Sequence, residues 1–130
     1  MYHIFICDDE KRFTEVLEKR VETCLKEQGQ SYEIQIFYNG IEMFQAMQKK
    51  APEILLLDID MPEMDGIETA KIIMQMTSNT VPILFVTAVS DIETVKICKQ
   101  LGAAGYILRP YKATYIRSEI RHILEGIEEI

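Results

Sequence analysis

The runs Ile54-Leu55-Leu56-Leu57 and Ile83-Leu84-Phe85-Val86 contain no polar side chain, and each is only four residues long. A half-exposed strand alternates apolar and polar residues; a run without alternation predicts a strand covered on both faces. Two such strands in one chain constrain the fold sharply. Fully covered strands belong to parallel sheets, and each parallel crossover needs a connection as long as a helix.

The rest of the chain supplies those connections. Tyr2 to Cys7 reads as a first strand, followed by a helical stripe of Phe13, Val16, Leu17, Val21, Cys24 and Leu25 that closes at Gly29. Tyr32, Ile34 and Ile36 alternate with polar residues, as in an edge strand. Asn39-Gly40-Ile41-Glu42 predicts a capped helix start, with Ile41, Phe44 and Met47 on its apolar side and Pro52 ending the unit. Asp65-Gly66-Ile67-Glu68 opens a third helix bearing Ile67, Ala70, Ile73 and Met74. Ser90-Asp91-Ile92-Glu93 reads as a capping box, continued by Ile92, Val95, Cys98 and Leu101. Gly102 and Gly105 bracket the turn into a short strand, Tyr106 to Leu108, and a last helix carries Ile116, Ile120, Ile123, Leu124 and Ile127. Five strands thus alternate with five helices, which predicts an α/β fold with helices on both faces of a parallel sheet.

At 130 residues the chain is one domain by length. With 48% hydrophobic residues it can build a core, so general disorder is excluded. No apolar run approaches the roughly 20 residues of a membrane span, and the amino terminus lacks the pattern of a secretory signal. Fourteen basic residues against 21 acidic give a net charge of −7, which argues against direct nucleic-acid binding. Cys7, Cys24 and Cys98 are odd in number and far apart, which suits structural thiols in a reducing cytoplasm.

In an open parallel sheet, ligands sit outside the carboxyl ends of the strands. Asp8 and Asp9 end strand one, Asp58 strand three, Thr87 strand four and Arg109 strand five. Carboxylates crowded together repel, at about 4 kcal/mol for a pair near 4 Å apart at an effective dielectric near 20. Protonation or a bound cation relieves that cost. Oxygen ligands with room for water suit Mg²⁺, while Thr87 and Arg109 are donors matched to a phosphoryl group. An EF-hand reading of the loop from Asp58 fails, because positions five, six and twelve would be Pro62, Glu63 and Thr69.

Taken together, Asp8-Asp9, Asp58 with Met61-Pro62 and Gly66, Thr87-Ala88, and Tyr106 with Arg109-Pro110 resemble the receiver domain of bacterial two-component response regulators, over essentially the whole chain. The resemblance implies a flavodoxin-like (βα)5 doubly wound sheet of strand order 2-1-3-4-5, and a single receiver domain over residues 1–130. Such a domain is either the N-terminal part of a longer regulator or a stand-alone receiver. Asp58 would be the phosphoacceptor for a sensor histidine kinase. Asp9 and Asp58 would hold Mg²⁺ directly with the backbone carbonyl of Asp60, and Asp8 would act mainly through water. Thr87 would hydrogen-bond the phosphoryl group, Tyr106 would swing inward as Thr87 moves, and small Ala88 would admit the donor. The output face would comprise Ile92 to Leu101, Tyr106, and Tyr111 to Ile127, a surface for homodimer or partner contact. The implied setting is cytoplasmic phosphorelay signalling, with transcription among its outputs.

Arg109 departs from the pattern, because the family almost always has Lys before this proline. A guanidinium is a planar fork rather than a compact ammonium, and facing Asp58 it is expected to form a bidentate pair with that carboxylate. By analogy the Arg109-Pro110 bond is expected to be cis. The departure keeps open a pseudo-receiver that works by protein contacts without phosphorylation. Leu57-Asp58-Ile59-Asp60 also fits the Asp-x-Asp start of haloacid-dehalogenase phosphatases, although there the motif follows the first strand. A flavodoxin would carry Ser, Thr and Gly where Asp8-Asp9-Glu10 stands. Met61, Met64, Met74 and Met76 read as packing residues, and His3 and His122 as structural or surface residues. Ile127 and Ile130 are left at a charged end, awaiting a continuation of the chain or a partner.

Overall fold

A computed structural model describes residues 1–61 and 64–128. Five strands, β1 (Tyr2–Cys7), β2 (Tyr32–Phe37), β3 (Ile54–Leu57), β4 (Ile83–Thr87) and β5 (Gly105–Leu108), pair in parallel in the order β2-β1-β3-β4-β5. Between and after them run α1 (Lys11–Glu27), α2 (Gly40–Lys49), α3 (Gly66–Met76), α4 (Ile92–Gln100) and α5 (Ala113–Glu128). The expected strand order is therefore present. One element was not expected: Asp60–Met61 pairs antiparallel with Met64–Asp65, outside the main sheet. Pro62, Glu63 and Ile130 lie outside the described residues.

The period-2 alternation of the strands divides the core in two. Ile4, Ile6, Ile54, Leu56, Leu84 and Val86 meet α1 and α5 on one face. Phe5, Cys7, Leu55, Leu57, Ile83 and Phe85 meet α2, α3 and α4 on the other. Covered on both faces, β3 and β4 need no alternation, while β2 lies at the sheet edge and alternates as expected. Ile127 packs against the first cluster instead of standing bare.

Helix starts follow local chemistry. Asn39 accepts from the Glu42 N–H and Asp65 from the Ile67 N–H, each satisfying an orphan donor of its helix. At α4 the cap is Asp91, not Ser90: its carboxylate takes the Thr94 N–H and hydroxyl. Four expected core positions also move. Phe13 and Val16 stand on the surface of α1 while Thr14 is fully buried, its hydroxyl donating to the Lys11 carbonyl at 2.7 Å. Ile41 and Ile92, each in the first turn of its helix, are likewise exposed.

Candidate functional site: an acidic pocket with a resident guanidinium

The carboxyl ends of β1 and β3 are adjacent in the sheet, so Asp8, Asp9 and Asp58 converge although about fifty residues separate them. One ligand oxygen from each lies within 4.8 Å of the others. Asp8 and Asp58 are buried, whereas Asp9 is more open. Asp60, exposed on its short strand, is tied to the site through its main chain, since its N–H donates to Asp58 Oδ1 at 3.2 Å.

Asp8 and Asp58 divide their oxygens in the same way. Asp8 Oδ1 accepts the Glu10 N–H at 2.9 Å, the counterpart of the Asp60–Asp58 bond. Each first oxygen thus holds its own strand-to-helix turn. Each second oxygen faces Arg109: Nη2 pairs with Asp8 Oδ2, and Nη1 lies 3.7 Å from Asp58 Oδ2. Turn-holding and site-forming are therefore roles of different atoms of the same side chain.

Arg109 corrects one expectation. Its principal partner is Asp8, not Asp58, and the two contacts go to two carboxylates instead of forming a bidentate pair with one. The chain leaves β5 through Arg109-Pro110, which is cis as expected, and the Arg109 N–H donates to the Thr87 carbonyl at 2.8 Å. Its guanidinium also lies 4.4 Å from the ring centroid of Phe13. Burial pushes the Asp8 carboxyl above its ordinary range, against the opposing pull of the Glu10 N–H and of Arg109.

Thr87 is fully buried, and its Oγ1 accepts the Val89 N–H at 3.3 Å. The Tyr106 hydroxyl donates to the Val89 carbonyl. Burial first, then nearby negative groups, push the Tyr106 phenol up to about 12. Ala88 is exposed beside Thr87. Gly66 lies tight against the main chain that follows β3: a Cβ there would lie 2.5 Å from Ile59 Cα and 2.8 Å from the Asp58 carbonyl oxygen.

Three carboxylates against one guanidinium leave two negative charges uncompensated, in an all-oxygen donor set. That suits a small divalent cation with waters. Two residues of the site escaped sequence reasoning. Val89 contributes only main-chain atoms and so leaves no trace in residue type. Phe13 read as core; its clue was an aromatic residue next to Arg12 in the first turn after an acidic pair.

Comparison with known proteins identifies the family. Residues 4–121 match the response regulator receiver domain, and the chain belongs to that family. It is 30% identical to the transcriptional regulatory protein CrdR of Helicobacter pylori over 91% of its own length and 53% of that protein's. It is 32% identical to the DNA-binding transcriptional regulator NtrC of Escherichia coli K12, over 83% of the chain and 22% of NtrC. The chain thus spans about half, or less, of these curated relatives. The response regulatory domain of mrkE from Klebsiella pneumoniae superposes with a TM-score of 0.85 at 26% identity, covering 98% of this chain and 99% of that one. The BeF3-activated receiver domain of DrrB, a Thermotoga maritima protein, gives 0.76 at 25% identity, covering 96% and 98%. Family membership sets aside the haloacid-dehalogenase and flavodoxin readings. Among the described residues no helix is long and apolar enough to cross a membrane.

Proposed function

We propose that this receiver domain is a phosphorylation-dependent switch in which Asp58 accepts a phosphoryl group from a sensor histidine kinase. The observation that carries the reading is the division of oxygens: Asp8 and Asp58 each fix a turn with one oxygen and turn the other toward Arg109. The attacking Asp58 oxygen forms a P–O bond as the P–N bond to the donor imidazole breaks, and the imidazole leaves with the electron pair. Asp8, Asp9, Asp58 and the Asp60 carbonyl would hold Mg²⁺, which supplies charge neutralisation for phosphoryl transfer. Thr87 and Arg109 donate to the phosphoryl oxygens. The domain is not an enzyme toward other substrates; its chemistry is self-phosphorylation and self-dephosphorylation.

The read-out runs to the face of α4, β5 and α5, where Ile92, Leu108 and Tyr115 are exposed, and homodimerisation or effector contact follows there. BeF3 activation of the DrrB domain supports a state change of this kind. Three buried free thiols suit a cytoplasmic setting, and the acidic balance leaves nucleic-acid contact to other parts of a regulator. One observation favours a second reading: the Arg109–Asp8 pair already supplies a cation, as a pseudo-receiver without phosphorylation would require.

Incubation with Mg²⁺ and a small-molecule phosphodonor, followed by intact mass measurement, decides between them. One acid-labile phosphoryl group is expected, and Asp58→Asn abolishes it. Labelling that survives this substitution overturns the assignment, and no labelling at all favours the pseudo-receiver.

A further inference from the structure

We infer that Phe13 is a positioning residue for Arg109. Its ring holds the guanidinium against Asp8 and thereby limits how freely a divalent cation enters the acidic pocket. The inference rests on the proposed reading of that pocket as a metal and phosphoryl site.

Arg109 lies 4.4 Å from the Phe13 ring centroid, and its side chain is only 10% exposed. Phe13 is 36% exposed and stands in the first turn of α1, where its N–H donates to the Glu10 carbonyl. Glu10 also gives its N–H to Asp8 Oδ1. One short turn therefore positions both the ring that touches the guanidinium and the carboxylate that receives it.

A guanidinium is weakly hydrated on its faces and binds anions along its N–H edge. Contact with an aromatic ring therefore leaves that edge free for carboxylates, here Asp8 and Asp58. The ammonium that the family usually carries here has no flat face to match. The aromatic residue at 13 and the arginine at 109 thus form a matched pair. Arg12 also reaches the ring, but at 5.4 Å, and Arg109 is the closer cation.

A guanidinium held on Asp8 and an entering dication draw on the same carboxylate. Loosening the guanidinium should favour the dication, by about fivefold for a cation–π contact at a partly buried site.

The test has two arms. In metal-free protein, the Arg109 Nε–H and Nη–H resonances should be ring-current shifted and slow to rotate. Phe13→Leu should abolish both properties, and Phe13→Tyr should preserve them. In the second arm, Mg²⁺ alone is titrated. Phe13→Leu should bind about fivefold tighter, Phe13→Tyr should match the parent, and Phe13→Leu should change nothing once Arg109→Gln is also present. Arg109 resonances indifferent to Phe13→Leu overturn the inference, as does an equal effect of Phe13→Leu on Mg²⁺ with and without Arg109. A shifted, Phe13-dependent Arg109 in a parent that binds no Mg²⁺ supports the positioning contact and overturns the metal-site reading.

Discussion

Arg109 is joined to Asp8, the buried carboxylate at the end of the central strand's neighbour β1, and reaches the phosphoacceptor candidate Asp58 with the other nitrogen at a longer 3.7 Å. The nucleophile is therefore less encumbered than a direct bidentate pair would leave it. Arg109→Lys removes the fork and its ring contact and should accelerate phosphorylation from a small donor by up to about tenfold, the equivalent of roughly 1.4 kcal/mol. Arg109→Ala strands Asp8 as an unpaired buried charge. Without divalent cations it should cost about 3 kcal/mol of stability, read by urea unfolding. A Lys variant slower than the parent would show that the guanidinium is tuned for this site.

Mg²⁺ should raise the melting temperature, because a pocket assembled from β1 and β3 exists only in the folded chain. At a hundredfold excess over Kd the gain is about 2.7 kcal/mol. Asp9→Ala should remove the response, since Asp9 is the carboxylate that Arg109 does not engage. Indifference to millimolar Mg²⁺ would count against a metal site.

Gly66→Ala should be costly out of proportion to its size. The added carbon meets main-chain atoms of Ile59 and Asp58, which no side-chain rotation can relieve. We expect a loss of about 1–3 kcal/mol together with a weakened Mg²⁺ response, as the turn after β3 shifts. Unchanged stability would mean that this turn yields easily.

Asp91 gives a pH signature away from the pocket. Its bonds from the Thr94 hydroxyl and N–H hold its carboxyl below the usual carboxylate range. A lowered folded pKa means the unfolded chain binds more protons, so the stabilisation is complete above the ordinary carboxylate pKa and is lost as pH falls through the folded value. Asp91→Ala should lower the urea midpoint at pH 7, and the gap between parent and variant should close as the solution is taken below about pH 4. A gap that persists in acid would assign the effect to something other than the charged cap.

Tyr106→Phe removes the bond to the Val89 carbonyl and should weaken coupling between the pocket and the α4–β5–α5 face. A coupling of about 1–3 kcal/mol is typical of such switches. Sedimentation with and without a beryllofluoride phosphoryl mimic reads it: self-association should increase with the mimic in the parent, and less in the variant. An identical monomer in both states of the parent would exclude switching by self-association of this domain.

The fold was legible because the apolar runs of β3 and β4 and the alternation of β2 report burial directly, and because strand ends in a parallel sheet assemble a site from distant residues. Asp8, Asp9, Asp58 and Arg109, read from strand ends, do lie together. Partner choice was not legible: which carboxylate Arg109 takes depends on the register of β1 against β3 and on the path out of β5. Helical stripes also misled at their ends. Phe13, Ile41 and Ile92 satisfy the periodicity but stand on the exposed side of a first turn, where neighbours such as Thr14 and Gly40 take the buried positions. The Asp60–Met61 pairing rests on two residues per strand, too few for any periodic signal.

The link between Thr87 and Tyr106 passes through Val89, one end bonded at its nitrogen and the other at its oxygen. Every residue except proline offers the same two atoms in the same places. The identity of residue 89 can therefore drift to suit whatever docks nearby without severing the connection. An alanine scan would pass over the position, and only Val89→Pro, which deletes the donor, would expose it.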